Sequence, residues 1–156
     1  MRVSLLIVGK TTDAHLEALI EEYVKRLGHY IPFGIQVIPE LKQTKHLTTD
    51  QQKTQEGELI LKTVAPNADL ILLDERGTEY TSMAFAAYMQ KRMSSGRDVV
   101  FAVGGPYGFS QAVYDRAAGM VSLSKMTFSH QMVRLFMVEQ LYRAMTILNG
   151  EPYHHE

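Results

Sequence analysis

Two short segments of this 156-residue chain could hold a small ligand. Gly104-Gly105-Pro106-Tyr107-Gly108 follows a β-favouring run and precedes a predicted helix. Glycine permits positive φ and close approach of a ligand to the backbone. The loop therefore suits a nucleotide-like ligand, or it is a tight turn that needs glycine for geometry alone. It is not G-x-G-x-x-G and no Walker lysine follows, which argues against a dinucleotide or NTP site. The second segment is Ser124-Lys125-Met126-Thr127-Phe128. It could be a plain strand-to-helix connection capped by Ser129. It also sets backbone donors and acceptors beside Met126 and Phe128 at a strand end. Adenine calls for that combination of apolar slot and backbone hydrogen bonds.

The titratable residues are fewer. Among six histidines no H-x-x-x-H or H-x-x-E-H spacing occurs, so no metal site is expected. The tail Glu151-Pro152-Tyr153-His154-His155-Glu156 directly follows an apolar helix. Such a tail is either disordered or stays put and completes a site. Within that helix the charged side chains are Arg134, Glu139 and Arg143, read as its exposed positions. Glu139 and Arg143 are spaced to pair with each other. Alternatively Glu139 joins an interface salt bridge and Arg143 reaches an RNA phosphate near the tail.

The elements that must position these residues alternate in type. Arg2 to Val8 reads as a strand buried on both faces. A turn with a helix cap, Gly9 to Thr12, leads into a helix carrying Leu16, Leu19, Ile20, Tyr23, Val24 and Leu27 at helical spacing and ending at Gly28. Phe33 to Ile38 is a second strand, and Glu40 to Thr49 a polar loop. Thr49 with Gln52 has capping-box spacing, so a helix is predicted from about Asp50 to Val64. Strands follow at Asp69 to Leu73, Asp98 to Val103 and Met120 to Leu123. A helix capped by Thr81 or Ser82 ends at Gly96, and another runs from Ser110 to about Ala118. The last helix follows Ser129 and is apolar nearly all round, so its own domain and a second subunit should cover it. Most strands lack period-2 polarity. The pattern predicts an α/β fold with a mainly parallel sheet and helices on both faces. Ligands of such sheets bind at the carboxyl ends of strands, here Leu73-Asp74, Gly104 to Gly108 and Leu123 to Phe128.

Composition sets outer limits. The length suggests one domain, residues 1–156. A net charge of −1 gives no global attraction to nucleic acid. A local basic patch could still grip phosphates, because screening acts over roughly 8 Å at physiological salt. Without cysteine there is no disulfide, thiol nucleophile or thiolate metal site. The run Val3 to Val8 is too short for a signal peptide, and no window is long enough to span a membrane. A cytoplasmic location is expected.

Taken together, GGPYG, LSKMTFSHQMVR, EQLYRA and the terminal PYHHE resemble the RlmH family of SPOUT methyltransferases. The similarity extends over the whole chain, including VSLLIVGK and EEYVKRLGHY. The sequence departs from the family pattern at Ser129, where proline is frequent, and at His155, where Arg or Lys is frequent. The resemblance implies a Rossmann-like sheet whose C-terminal part is threaded into a deep trefoil knot, assembled as a homodimer. It further implies methylation of N3 of a pseudouridine in a large-subunit ribosomal RNA, on that RNA, the subunit or the whole ribosome, using S-adenosylmethionine. By motif match the cofactor contacts Leu73, Gly104, Gly105, Leu123, Ser124, Lys125, Met126, Thr127 and Phe128. No metal is required.

On that reading His154 assists proton removal or orients the base. Tyr153 stacks on the base or hydrogen-bonds it, and Arg143 and Lys125 stabilise the imide anion or a phosphate. One subunit would hold the cofactor while the other lends its tail. Two further readings are a SPOUT methyltransferase with another RNA target and a non-catalytic dimeric ribosome-binding protein. A nucleotide-binding module unrelated to methylation is a third, and it should prefer a phosphorylated nucleotide.

Overall fold

The computed structural model describes residues 1–155; the closing Glu156 of the PYHHE motif lies outside them. Five strands are connected by helices: β1 (Val3–Val8), α1 (Ala14–Leu27), β2 (Phe33–Ile38), α2 (Thr49–Thr63), β3 (Asp69–Glu79), α3 (Ser82–Ser94), β4 (Val99–Val103), α4 (Gln111–Arg116), β5 (Gly119–Ser122) and α5 (Met132–Leu148). The sheet order is β2-β1-β4-β3-β5, and every pairing between these strands is parallel.

Continuous apolar runs made β1 and β4 readable, and both are buried along their whole length. Each strand sends alternate residues to opposite faces, so each run feeds two cores. Leu5, Ile7, Phe101 and Val103 pack with Leu27, Phe85, Met89, Met137 and Leu141 from α1, α3 and α5. Leu6, Val100 and Ala102 pack with Ile60 of α2, Val64 just beyond it and Val113 of α4. Burial of one such side chain contributes about 1.5–3 kcal/mol. Helices thus cover both faces, as the alternation requires.

Local hydrogen bonding moves several predicted boundaries. Asp13, rather than a threonine of the preceding turn, caps α1 by accepting from His15 and Leu16 N–H. The capping box of α2 lies one residue earlier than expected. Thr48 Oγ1 accepts from Gln51 N–H at 3.1 Å, and Gln51 Oε1 accepts from Thr48 N–H at 2.9 Å. Thr81 caps α3. Ser129 does cap the last helix, its Oγ accepting from Met132 N–H at 3.0 Å, although regular α-helix begins at Met132.

The largest correction concerns β3, which continues past Leu73 to Glu79. Both Leu73 and Thr78 pair with Val121, so the intervening residues bulge out of the ladder. Gly77 makes this possible: a Cβ there would lie 2.7–2.8 Å from the Met120 and Val121 backbone. The bulge carries Asp74, Glu75 and Arg76 over the carboxyl end of the sheet.

α5 starts at that same end and runs back between α1 and α3. Its Arg134 is 1% exposed, not an exposed position as the sequence suggested. The guanidinium donates to Val8 O at 2.9 Å, Thr11 Oγ1 at 3.1 Å and His130 O at 3.0 Å. Burial pulls its pKa below the ordinary value, with Glu40 opposing. Gln131 adds two bonds to the same loop, accepting from Thr12 N–H and donating to Lys10 O. The start of α5 is therefore pinned to the end of β1.

Candidate active site

The carboxyl ends of β3, β4 and β5 enclose a cleft of about 760 Å³. The glycine loop 104–108 forms one wall and the segment from Leu123 to His130 forms the other. Leu73, Val103, Val121 and Phe109 supply apolar floor. Backbone at Gly104 and Gly105 comes close because side chains are missing there. A Cβ on Gly104 would lie 3.2 Å from the Phe109 ring, and one on Gly105 would lie 2.5 Å from Glu56 Oε1. Opposite, Ser124 Oγ accepts from Met126 N–H at 2.9 Å, and Ser122 Oγ donates to Ser124 O at 3.0 Å. These bonds tie the elbow into a fixed turn and leave Met126 78% exposed at the mouth. The cleft thus sets the backbone of two loops beside apolar surface, the combination an adenosine-containing cofactor requires.

Two polar clusters brace this cleft, and neither was found in the sequence. Asp74, from the β3 bulge, accepts from the Tyr114 hydroxyl on α4 and from Arg76 N–H at 2.9 Å. The Arg76 guanidinium lies on the Tyr114 ring, donates to its hydroxyl and pairs with Asp74. Burial pushes the Asp74 carboxyl up, but the bonds from Tyr114 and Arg76 outweigh it and hold it below its ordinary value. Behind the glycine loop, Glu56 on α2 accepts from Gly105 N–H at 3.1 Å. Burial raises its carboxyl pKa, that bond opposing and Glu40 adding to the rise.

The tail residues gather elsewhere, around the rear of α5. Glu139 Oε1 accepts from Arg143 at 2.7 Å and from the Tyr153 hydroxyl at 2.8 Å, while its Oε2 accepts from Gln140 at 2.9 Å. Arg143 also lies over the Tyr153 ring at 4.7 Å and contacts His154 Nδ1 at 3.1 Å. A guanidinium only donates, so Nδ1 accepts and the imidazole proton sits on Nε2. That Nε2 is buried without a hydrogen-bond partner among the described residues. Burial, with Tyr23 and Glu139, raises the Tyr153 pKa. Tyr30 completes the staple by donating to Glu151 Oε2 at 2.5 Å.

Eight of the nine residues assigned to the cofactor therefore line one cleft: Leu73, Gly104, Gly105, Leu123, Ser124, Met126, Thr127 and Phe128. Lys125 points out instead, 86% exposed, with its ammonium 3.8 Å from Glu79. Arg143, Tyr153 and His154 form one cluster, but away from the cleft. From Met132 to Arg143 the helix rises roughly 16 Å, at about 1.5 Å per residue. Glu139 and Arg143 do pair, as their spacing allowed. His155 is exposed. Among the described residues no group of three or more His, Cys, Asp or Glu could hold a metal ion, and no helix is long and apolar enough to cross a membrane.

Comparison with known proteins extends over the same residues. A family described as "Predicted SPOUT methyltransferase" matches residues 1–154. The chain is 57% identical to the Ribosomal RNA large subunit methyltransferase H of Parabacteroides distasonis over 157 aligned positions, covering 100% of both chains. It is 56% identical to the protein of that name from Christiangramia forsetii, covering 99% of both. With the one from Bacteroides fragilis it shares 55% identity, again over 100% of both.

Proposed function

The chain belongs to the SPOUT methyltransferase family, and from that premise we propose that it methylates N3 of a pseudouridine in large-subunit ribosomal RNA, using S-adenosylmethionine. The observation that carries this reading is the single cleft formed by the glycine loop and the Leu123 to Phe128 elbow. Their backbone, beside the apolar side chains of the floor, fits an adenosine-containing cofactor. The relatives' names supply ribosomal RNA as the substrate class. On this reading residues 1–156 act as one domain with a threaded, knotted C-terminal part, in the cytoplasm.

When bound, S-adenosylmethionine supplies a methyl group already activated on a sulfonium. The protein's own task is to hold the cofactor, bring the base in line and accommodate the N3 proton. Leu73, Leu123 and Phe128 provide the apolar slot, and the backbone of the elbow provides polar contacts. The rear cluster sits too far along α5 to serve the cleft of its own chain. We infer a homodimer in which the partner lends Arg143 and the tail. An exposed apolar face on Met126, Phe128, Met132 and Phe136 suits such a contact, which would bury roughly 1,600 Å² or more in total.

Within that shared site Arg143 balances the developing imide anion or a phosphate. His154 orients the base as an Nε2–H donor, since its Nδ1 is taken by Arg143, and the tail must shift to uncover that group. Tyr153 acts through Arg143, because its hydroxyl and one ring face are already engaged. The deciding experiment is transfer of a labelled methyl group to ribosomes lacking the modification, with the labelled nucleotide mapped by mass spectrometry. Label on N3 of a pseudouridine is the expected result. Label elsewhere would reassign the target, and absence of both label and cofactor binding would end the enzymatic reading. A monomer by light scattering at micromolar concentration would remove the shared site.

A further inference from the structure

Glu56 is an acid in an unusual place. It lies on α2, is 6% exposed, and is not part of the cleft lining. Its Oε1 nevertheless accepts from Gly105 N–H at 3.1 Å, from behind the loop whose front faces the cleft. A trans peptide is planar, with its N–H and C=O pointing in opposite directions. The Gly104–Gly105 peptide directs its N–H back to Glu56, so the Gly104 carbonyl points away from that carboxylate, and Gly104 itself lines the cleft.

The surroundings are shaped to allow this contact. A Cβ on Gly105 would lie 2.5 Å from Glu56 Oε1, and a Cβ on the neighbouring Gly57 would lie 2.4 Å from Ser110 Oγ. The two glycines let α2 approach both the loop and the start of α4, with the carboxylate between them. Leucine would fill that space without the cost of burying a charge. What an acceptor adds is a fixed direction for one peptide.

We propose that Glu56 is a positioning residue for the cofactor: it holds the Gly104–Gly105 peptide so that the Gly104 carbonyl accepts a hydrogen bond from an amino or hydroxyl group of S-adenosylmethionine. This rests on the function proposed above and adds to it a residue outside the cleft.

The test compares the wild-type chain with Glu56→Gln and Glu56→Leu, reading amide hydrogen exchange at Gly105 in the free protein and S-adenosylmethionine affinity by calorimetry. Gln keeps an acceptor without the charge. It should retain protection at Gly105 and bind within about threefold of wild type. Leu keeps the bulk and loses the acceptor. It should exchange faster at Gly105 and bind about tenfold or more weakly, the scale of one hydrogen bond to a charged group. Equal losses in Gln and Leu, or undiminished affinity in Leu, would overturn the proposal. If Leu does not fold, Glu56→Asp takes its place, and full protection at Gly105 despite the shortened side chain counts against it. A wild-type protein that binds no S-adenosylmethionine would defeat the proposed function and this inference together. Binding by wild type and Leu alike would defeat this inference alone.

Discussion

At its front end α5 meets a cleft walled by peptide groups and apolar side chains. At its rear it meets a cluster in which Glu139, Arg143 and Tyr153 bond one another and His154 contacts Arg143 through Nδ1, leaving its Nε2 buried without a partner among the described residues. The front is built largely from backbone, so it should tolerate most side-chain truncations but no added bulk where glycine lets the chain come close. The rear is built from side chains, so each truncation there should leave a partner unpaired. Added volume should break the first region, and lost functional groups the second.

Gly105→Val should have the largest effect. Its Cβ would collide with the Glu56 carboxylate, and S-adenosylmethionine affinity should fall about 100-fold or more as the loop shifts. Calorimetry checks this, and unchanged affinity would mean that the loop is not the cofactor wall. Arg143→Ala should slow methyl transfer about 100-fold in single turnover, a loss typical of removing one anion-stabilising donor. Affinity for the cofactor should stay within about twofold of wild type. A matching loss of affinity would erase the distinction between the two ends.

Arg134→Ala acts at the buried side of the front end, where the start of α5 is pinned to the end of β1. It leaves the Val8 and His130 carbonyls without a buried donor, so urea unfolding should show a loss of about 3 kcal/mol. A loss below about 1 kcal/mol would show that the pin between β1 and α5 is dispensable.

The tail staple also has a pH signature. The hydrogen bond to the Glu151 carboxylate pushes Tyr30 up to about 12 from the ordinary 10.0. Folding favours the protonated phenol, so this contribution is complete below pH 10 or so and is lost as pH rises through about 12. In Glu151→Gln, Tyr30 should titrate closer to 10, read from its ring carbon shift by NMR. An unmoved titration would detach the staple from the rear cluster. Lys125→Ala should have the smallest effect. Cofactor affinity should hold within about twofold and stability within roughly 0.5 kcal/mol, as for any exposed pair. If Lys125 meets RNA phosphate, the salt slope of RNA binding should fall by about one.

Much of the scaffold was legible because burial leaves a local trace. The apolar runs of β1 and β4 and the cap residues Thr81 and Ser110 could be read within a few residues of themselves. So could the cleft walls, because glycine after a strand and a polar elbow before a helix are local patterns. The pairings of Glu56, Asp74 and Arg134 left no such trace, although Asp74 and Arg134 themselves stood out in the sequence. Each of the three is a polar residue whose meaning lies in a partner far along the chain: Gly105 for Glu56, Tyr114 for Asp74, and Val8 for Arg134. The continuation of β3 through Asp74 to Glu79 escaped for a related reason. That polar stretch has no strand periodicity, and it stays paired because Gly77 lets β5 approach.

By itself, then, the sequence determined the α/β alternation, the positions of most helix ends and the composition of the two cleft-lining segments. These follow from propensity, capping and hydrophobic patterning over short windows. The tertiary structure decided which distant polar groups pair, and that the cleft and the tail cluster sit at opposite ends of α5. A helix rises a fixed distance per residue. That separation becomes visible once the sheet and the flanking helices fix where each end of α5 lies.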